Sequence, residues 1–378
     1  MEGGSYAEYA PSGHIVYAHG GSLLAVPFDE SRLAVTGSPK PVLGGVTTDP
    51  SSGATMFSSS SPGILTYAPG TNRPFEGSLI WRDKLGKLEQ LAETRCYADP
   101  RLSPDGQQLA VRILAANDDI YLYEIPRHTF SRLTLGGGNY YAPVWTPDGK
   151  RLVYSSDKSG HANLYWKDAD GSGAEQRLTR CDFQQIATSF SHDGKTVVFD
   201  QDSPSGGRDI WTLTMQADDK PRPFIQTVFD EYGGAVSPDG RWMAYVSNES
   251  GKSEVYVRAF PEVNKGRWQV SINGGVSPLW SPDGRELFYL NEADGSVTSV
   301  AVETAPVFKP GTPKKLFSRT AYFGGRDTPG TPWDIHPDGK RFLMMRLPGA
   351  TPAAPAGPLK INIVLNWLEE LKQRVPVK

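Results

Sequence analysis

Six aspartates recur at matching places along the chain: Asp105, Asp148, Asp193, Asp239, Asp283 and Asp338. Sets of carboxylates can do acid–base work, but that needs two groups within about 5–10 Å of each other. Each of these instead sits in a tetrapeptide. The copies are Ser103-Pro104-Asp105-Gly106, Thr146-Pro147-Asp148-Gly149, Ser191-His192-Asp193-Gly194, Ser237-Pro238-Asp239-Gly240, Ser281-Pro282-Asp283-Gly284 and His336-Pro337-Asp338-Gly339. Proline presets φ, the aspartate side chain accepts nearby backbone N–H groups, and glycine takes a left-handed conformation cheaply. The chemistry is that of a turn.

The six histidines, at 14, 19, 128, 161, 192 and 336, are scattered, and two of them fill turn positions. No His-Glu-x-x-His zinc pattern, His-Arg-Asp kinase loop or Gly-x-Ser-x-Gly nucleophile elbow occurs. The two cysteines, Cys96 and Cys181, form no disulfide framework. A different set mixes aromatic and polar groups: Arg95, Tyr97 and Asp99; Tyr140 and Tyr141; Gln184 and Gln185; Glu231 and Tyr232; Arg326 and Asp327. Aromatics beside polar groups suit recognition rather than bond chemistry.

The turns say what must carry these residues. With two degenerate copies, Ala10-Pro11-Ser12-Gly13 and Ser60-Ser61-Pro62-Gly63, the turn glycines are spaced by 50, 43, 43, 45, 46, 44 and 55 residues. A period of about 45 residues filled with short strands is that of propeller blades. One period reads Arg151 to Ser156, Asn163 to Lys167, then Glu175 to Thr179, each an alternating segment bounded by turn residues. The expected fold is all-β, a single β-propeller spanning 1–378. Its four-stranded antiparallel blades fall near 1–50, 51–95, 96–138, 139–181, 182–228, 229–273, 274–320 and 321–366. Eight blades are expected; seven is the alternative if Ser5 to Tyr9 completes the last one. A third strand of the final blade is expected over 360–365, and a short helix over 366–374. Leu102, Trp145, Phe190, Val236, Trp280 and Ile335, three places before each Asp, are expected to pack between blades.

In such a fold the paired aromatic and polar set lies in loops leading into each innermost strand, around the channel mouth. Net charge is −3 with both signs interspersed, which excludes a basic nucleic-acid footprint. No apolar run reaches the 18 or so residues that span a bilayer, and the start lacks the pattern of a signal peptide.

Blades of the form Trp280-Ser281-Pro282-Asp283-Gly284-Arg285, followed by Leu287 and Tyr289, resemble the TolB-like, WD-type propeller repeats of bacteria. Three stretches also resemble the C-terminal extracytoplasmic propeller of membrane-anchored Ser/Thr protein kinases. These are Ser22 to Asp29, Asn248 to Pro261 and Asn366 to Leu371. The resemblance implies an extracytoplasmic sensing or binding module. The expected function is therefore non-catalytic binding of a protein, peptide or small ligand at the channel mouth by a monomer, with no cofactor. The alternatives are a lactonase- or lyase-like enzyme with a divalent metal in the channel, drawing on Asp99, Asp182, Asp230, Glu231 and Asp327, and a scaffold within a larger assembly.

Overall fold

The structure, a computed structural model, describes residues 5–19, 22–47, 55–69, 76–115, 117–204, 206–216, 219–318, 330–346 and 361–377. The chain divides into two compact units. One joins Met1–Pro74 to Ala353–Lys378; the other is Phe75–Pro352.

In the second unit the predicted turn forms the same way each time. The Ser281 hydroxyl donates to Asp283 at 2.6 Å, the Arg285 N–H donates to the same carboxylate, and the Glu286 N–H donates to Ser281 Oγ at 2.8 Å. Gly284 closes the turn at φ 70°. Ser103, Thr146, Ser191 and Ser237 make the same hydroxyl-to-aspartate bond. At the last copy His336 stands in for the hydroxyl residue, 3.0 Å from Asp338.

Each turn joins the innermost strand of a sheet to the next strand out. The innermost strands Arg95–Leu102, Tyr140–Trp145, Gln185–Phe190, Glu231–Val236 and Val276–Trp280 each begin an antiparallel sheet whose strands follow in chain order. The second strands are buried on both faces: in Trp242–Ser247 every residue is buried. Such a strand packs between two neighbouring sheets, which is why it reads as an almost continuous apolar run.

A sixth sheet is assembled from both ends of this unit. Asp334–Ile335 and Arg341–Arg346 pair with Glu76–Asp83, which in turn pairs with Leu88–Gln90. Its Glu76–Asp83 strand also touches the next sheet through the pairs Arg95↔Gly77 and Cys96↔Glu76. The expected boundaries 51–95 and 321–366 are therefore corrected: their strands do not make two separate consecutive blades. The partner of the last turn's strand lies far back in the chain, with Arg341 pairing Asp83, and the local spacing of turns carries no information about it.

Polar bonds tie the six sheets at every boundary. Asp334 accepts the Leu102 N–H at 2.8 Å, and Trp145 Nε1 donates to the Arg101 carbonyl at 3.0 Å. Ser155 Oγ accepts the Ala187 N–H, and Asp200 accepts that of Gly233. Trp280 Nε1 donates to the Ala235 carbonyl at 2.9 Å, and Trp333 Nε1 to Ser277 at 3.0 Å. In the expected packing layer Leu102, Trp145, Phe190, Trp280 and Ile335 are buried and Val236 is half-buried, and the two tryptophans also bond the preceding sheet.

The first unit has a five-stranded sheet built on Ser5–Ala10, His14–His19 and Ser22–Asp29, and a three-stranded sheet. Ser5–Ala10 pairs with His14–His19, so it is not lent to the last turn's strand as expected for a seven-blade ring. The strand expected over 360–365 forms at Asn362–Val364, but it pairs with Leu65–Tyr67. The helix, Trp367–Arg374, buries Trp367 and Leu371 in this unit's core beside Val16, Leu23 and Leu65.

Candidate functional site

Five of the six innermost strands, all but Asp334–Ile335, carry a bulge near their start. Register slips after Ala98, Tyr141, Ala187, Tyr232 and Val276. Asp99, Ala142, Gly233 and Ser277 sit there at positive φ, between 47° and 68°. A bulge leaves a backbone N–H without its ladder partner. Three of these groups are satisfied by the preceding sheet, through Asp99 to Ala142, Ser155 to Ala187 and Asp200 to Gly233.

The bulge sorts the residues picked from the sequence. Tyr97, Tyr140, Gln185 and Glu231 hold equivalent places and are all buried. Tyr97 donates to the Glu93 carbonyl of its own loop, Gln185 bonds Thr179 and Gln201, and Glu231 accepts from Thr227. They hold the loops from beneath. Asp99 is buried too, in an ion pair with Arg112 at 3.1 Å. Tyr141 and Tyr232, one place further along, are half-buried, and each is covered by an arginine of the preceding sheet. Arg112 lies 5.2 Å from the Tyr141 ring centre and Arg208 lies 4.0 Å from that of Tyr232. Arg95 is half-buried over Phe130, and Gln184 is exposed. Arg326 and Asp327 lie outside the described residues.

Two charged groups gather around the tyrosines. Around Tyr141, its hydroxyl donates to Asp157 at 2.7 Å, and Arg112 reaches Asp118 at 3.5 Å. Burial raises the Asp99 carboxyl against the pull of Arg112. Around Tyr232, Arg208 faces Asp230 at 3.5 Å, and Asp200 takes the Gly233 N–H with both oxygens. Burial pushes Asp200 up to about 7, opposed by Arg208. Arg112 and Asp200 escaped the sequence reading. The signal was there, as a charged residue ending the apolar runs Leu109-Ala110-Val111 and Val197-Val198-Phe199. Among the described residues no three His, Cys, Asp or Glu side chains come together to hold a metal ion.

The loops above these residues present apolar side chains to solvent: Leu135, Phe183, Val228, Phe229 and Ile272. They come from four successive sheets. At the other end, a cavity of about 340 Å³ is lined by residues of all six innermost strands. Its wall includes Pro104, Pro147, His192 and Pro238 of the turns, so it lies toward the turn end of the channel. Reading the turns as purely architectural missed it. The turn aspartates themselves are internally used. In Asp105, Asp148, Asp193 and Asp283 the hydroxyl bond, then a backbone N–H, holds the carboxyl below its usual range.

Six antiparallel sheets arranged around one channel define a β-propeller. Residues 86–231 match the family model of the TolB beta propeller domain. An uncharacterised protein of Agrobacterium fabrum (strain C58) is 27% identical over 217 residues, which are 54% of this chain and 73% of that protein. The Tol-Pal system protein TolB of Francisella tularensis subsp. tularensis (strain WY96-3418) is 27% identical over 207 residues, 52% of this chain and 47% of TolB. The chain thus spans about half the length of that relative. The solved structure of a putative TolB from Agrobacterium tumefaciens superposes with a TM-score of 0.59 at 18% identity, over 73% of this chain and 99% of that one. At that identity the likeness is one of fold.

Proposed function

We propose that this protein is a non-catalytic binding module that recognises a protein or peptide on the rim formed by the loops entering the innermost strands. The observation that carries this reading is the row of exposed apolar side chains, Leu135, Phe183, Val228, Phe229 and Ile272, on loops of successive sheets. Solvent-exposed apolar groups set among charges are the composition of a docking surface. Beneath them Tyr141 and Tyr232, with Gln184 and Arg95 at the surface, complete the contact set. Asp99, Asp200 and Glu231 are buried and bonded within the wall, which suits support of a surface better than acid–base work. Similarity to TolB supports a partner that is itself a protein.

The extracytoplasmic location and the sensor role are extensions of this reading. They rest on similarity to TolB and on the resemblance of Ser22 to Asp29, Asn248 to Pro261 and Asn366 to Leu371 to kinase-linked propellers. A kinase domain and an apolar span encoded in the same gene would support the sensor role, and a gene without them would remove it.

The binding reading is tested by placing a photocrosslinking residue at Phe183 or Ile272, and at Lys195 or Arg285 on the turn end, in cells that make the protein. A discrete adduct is expected from the first pair. Adducts from the turn end alone, or from neither pair, would overturn it.

A further inference from the structure

The cavity at the turn end is a separate site from the loop rim. Its wall has an apolar part, Leu102, Trp145, Phe190, Val236, Leu279 and Trp280 with prolines between them, beside serine and threonine groups. Its volume of about 340 Å³ is that of a small-ligand pocket. Two oppositely charged side chains line it, Arg101 and Asp334.

These two charges are not equally available. Asp334 accepts the N–H of Leu102 and that of Ile335, each at 2.8 Å, so both its oxygens serve the wall. Arg101 donates to Thr331 Oγ1 at 2.5 Å and, weakly, to the Trp333 carbonyl at 3.4 Å. A guanidinium has five N–H donors. Among the described residues no carboxylate lies within ion-pair distance of it, although Asp334 and Asp99 act on it from further away. Arg101 is thus a cation with spare donors in the wall of this cavity, beside its apolar part.

We propose that this cavity binds a carboxylate carried on a short apolar stem, with the carboxylate on Arg101 and the stem against Trp145, Phe190 and Trp280. A planar guanidinium takes a carboxylate through two parallel bonds, and desolvated surroundings strengthen the pair. A free small carboxylate and the C-terminus of an apolar peptide share this chemistry.

Calorimetric titration of the full chain separates the possibilities. The probes are hexanoate, hexanol, hexylammonium, and acetyl-Ala-Ala-Leu with a free or an amidated C-terminus. Saturable binding is expected for hexanoate or the free-acid peptide, and none for hexanol, hexylammonium or the amide. Binding of hexanoate without the peptide assigns a small carboxylate; the reverse assigns a peptide terminus. Arg101→Gln should weaken binding about tenfold or more, and Arg101→Lys by less. Should Arg101→Gln fail to fold, Thr188→Leu, which fills the cavity without touching Arg101, should block binding instead. The proposal is overturned if neither carboxylate binds at about 10 mM. It is equally overturned if hexanol binds as well as hexanoate, or if Arg101→Lys and Thr188→Leu both leave affinity unchanged.

Discussion

Asp200 accepts the backbone N–H of Gly233 with both carboxylate oxygens, each at 3.0 Å, across the boundary between two sheets. Burial pushes this carboxyl up to about 7, while Arg208 and the Gly233 N–H pull the other way. The folded state therefore binds the proton more tightly than the unfolded chain, in which the group ionises near 4. Its contribution is fully present below that value and is lost as pH rises toward 7. Wild-type stability should fall between about pH 4 and 7 by on the order of 1–4 kcal/mol from this group. Asp200→Asn keeps one acceptor and should flatten that slope. Urea midpoints across the range read it, and equal slopes in both proteins would refute the assignment.

The Asp99–Arg112 pair is buried, with the same Asp99 oxygen also taking the Ala142 N–H at 3.1 Å. Removing one partner of a buried pair strands the other charge, at a cost of about 3–5 kcal/mol. Arg112→Met should cost that much. Asp99→Asn should cost less, since its amide oxygen still caps Ala142. A double-mutant cycle measures the coupling, and additive effects would mean the two side chains do not interact.

Trp280 ties its sheet to the preceding one by a single bond, from Nε1 to the Ala235 carbonyl. Trp280→Phe keeps much of the packing and deletes the donor, which should cost about 1–3 kcal/mol, including the unpaired carbonyl. Trp145→Phe, losing its bond to Arg101, should match it. Denaturation midpoints that do not move for either variant would show the tie contributes nothing.

Gly275 occupies the place that Tyr97, Tyr140, Gln185 and Glu231 hold in other sheets. A Cβ there would stand 2.6 Å from Ser271 Cβ and 3.1 Å from Tyr289. Ser271 cannot yield freely, because its hydroxyl bonds Glu254 and accepts the Val255 N–H at 2.6 Å. Gly275→Ala should destabilise by about 1–3 kcal/mol. Gly44→Ala, where the nearest atom is 3.9 Å away, is the control and should stay within about 0.5 kcal/mol.

At the turns, Ser281→Ala removes a hydroxyl that both donates to Asp283 and accepts from Glu286, and should cost about 1–2 kcal/mol. The same change at Ser103 should give a similar loss in thermal melts. A much larger loss at one copy would point to a role beyond the turn.

The sequence by itself determined the repeat. Ser-Pro-Asp-Gly needs only its own residues to form, since Ser281, Asp283 and Glu286 bond one another within a few positions. Its recurrence therefore announced propeller sheets, the inner strands and the buried layer of Trp145 and Trp280. Tertiary structure alone decided how the sheets divide. Arg341–Arg346 finds Glu76–Asp83 far back in the chain, and strand pairing over that distance leaves no local mark. The same holds for the sites. Position in a loop placed Tyr97, Tyr140 and Glu231 beside Tyr141 and Tyr232 as equals. The bulge turned the first three inward and left the last two under arginines from neighbouring sheets. Arg101 and Asp334, more than two hundred residues apart, line one cavity only because six strands converge there. Spacing along the chain cannot say which side chains the ring brings face to face.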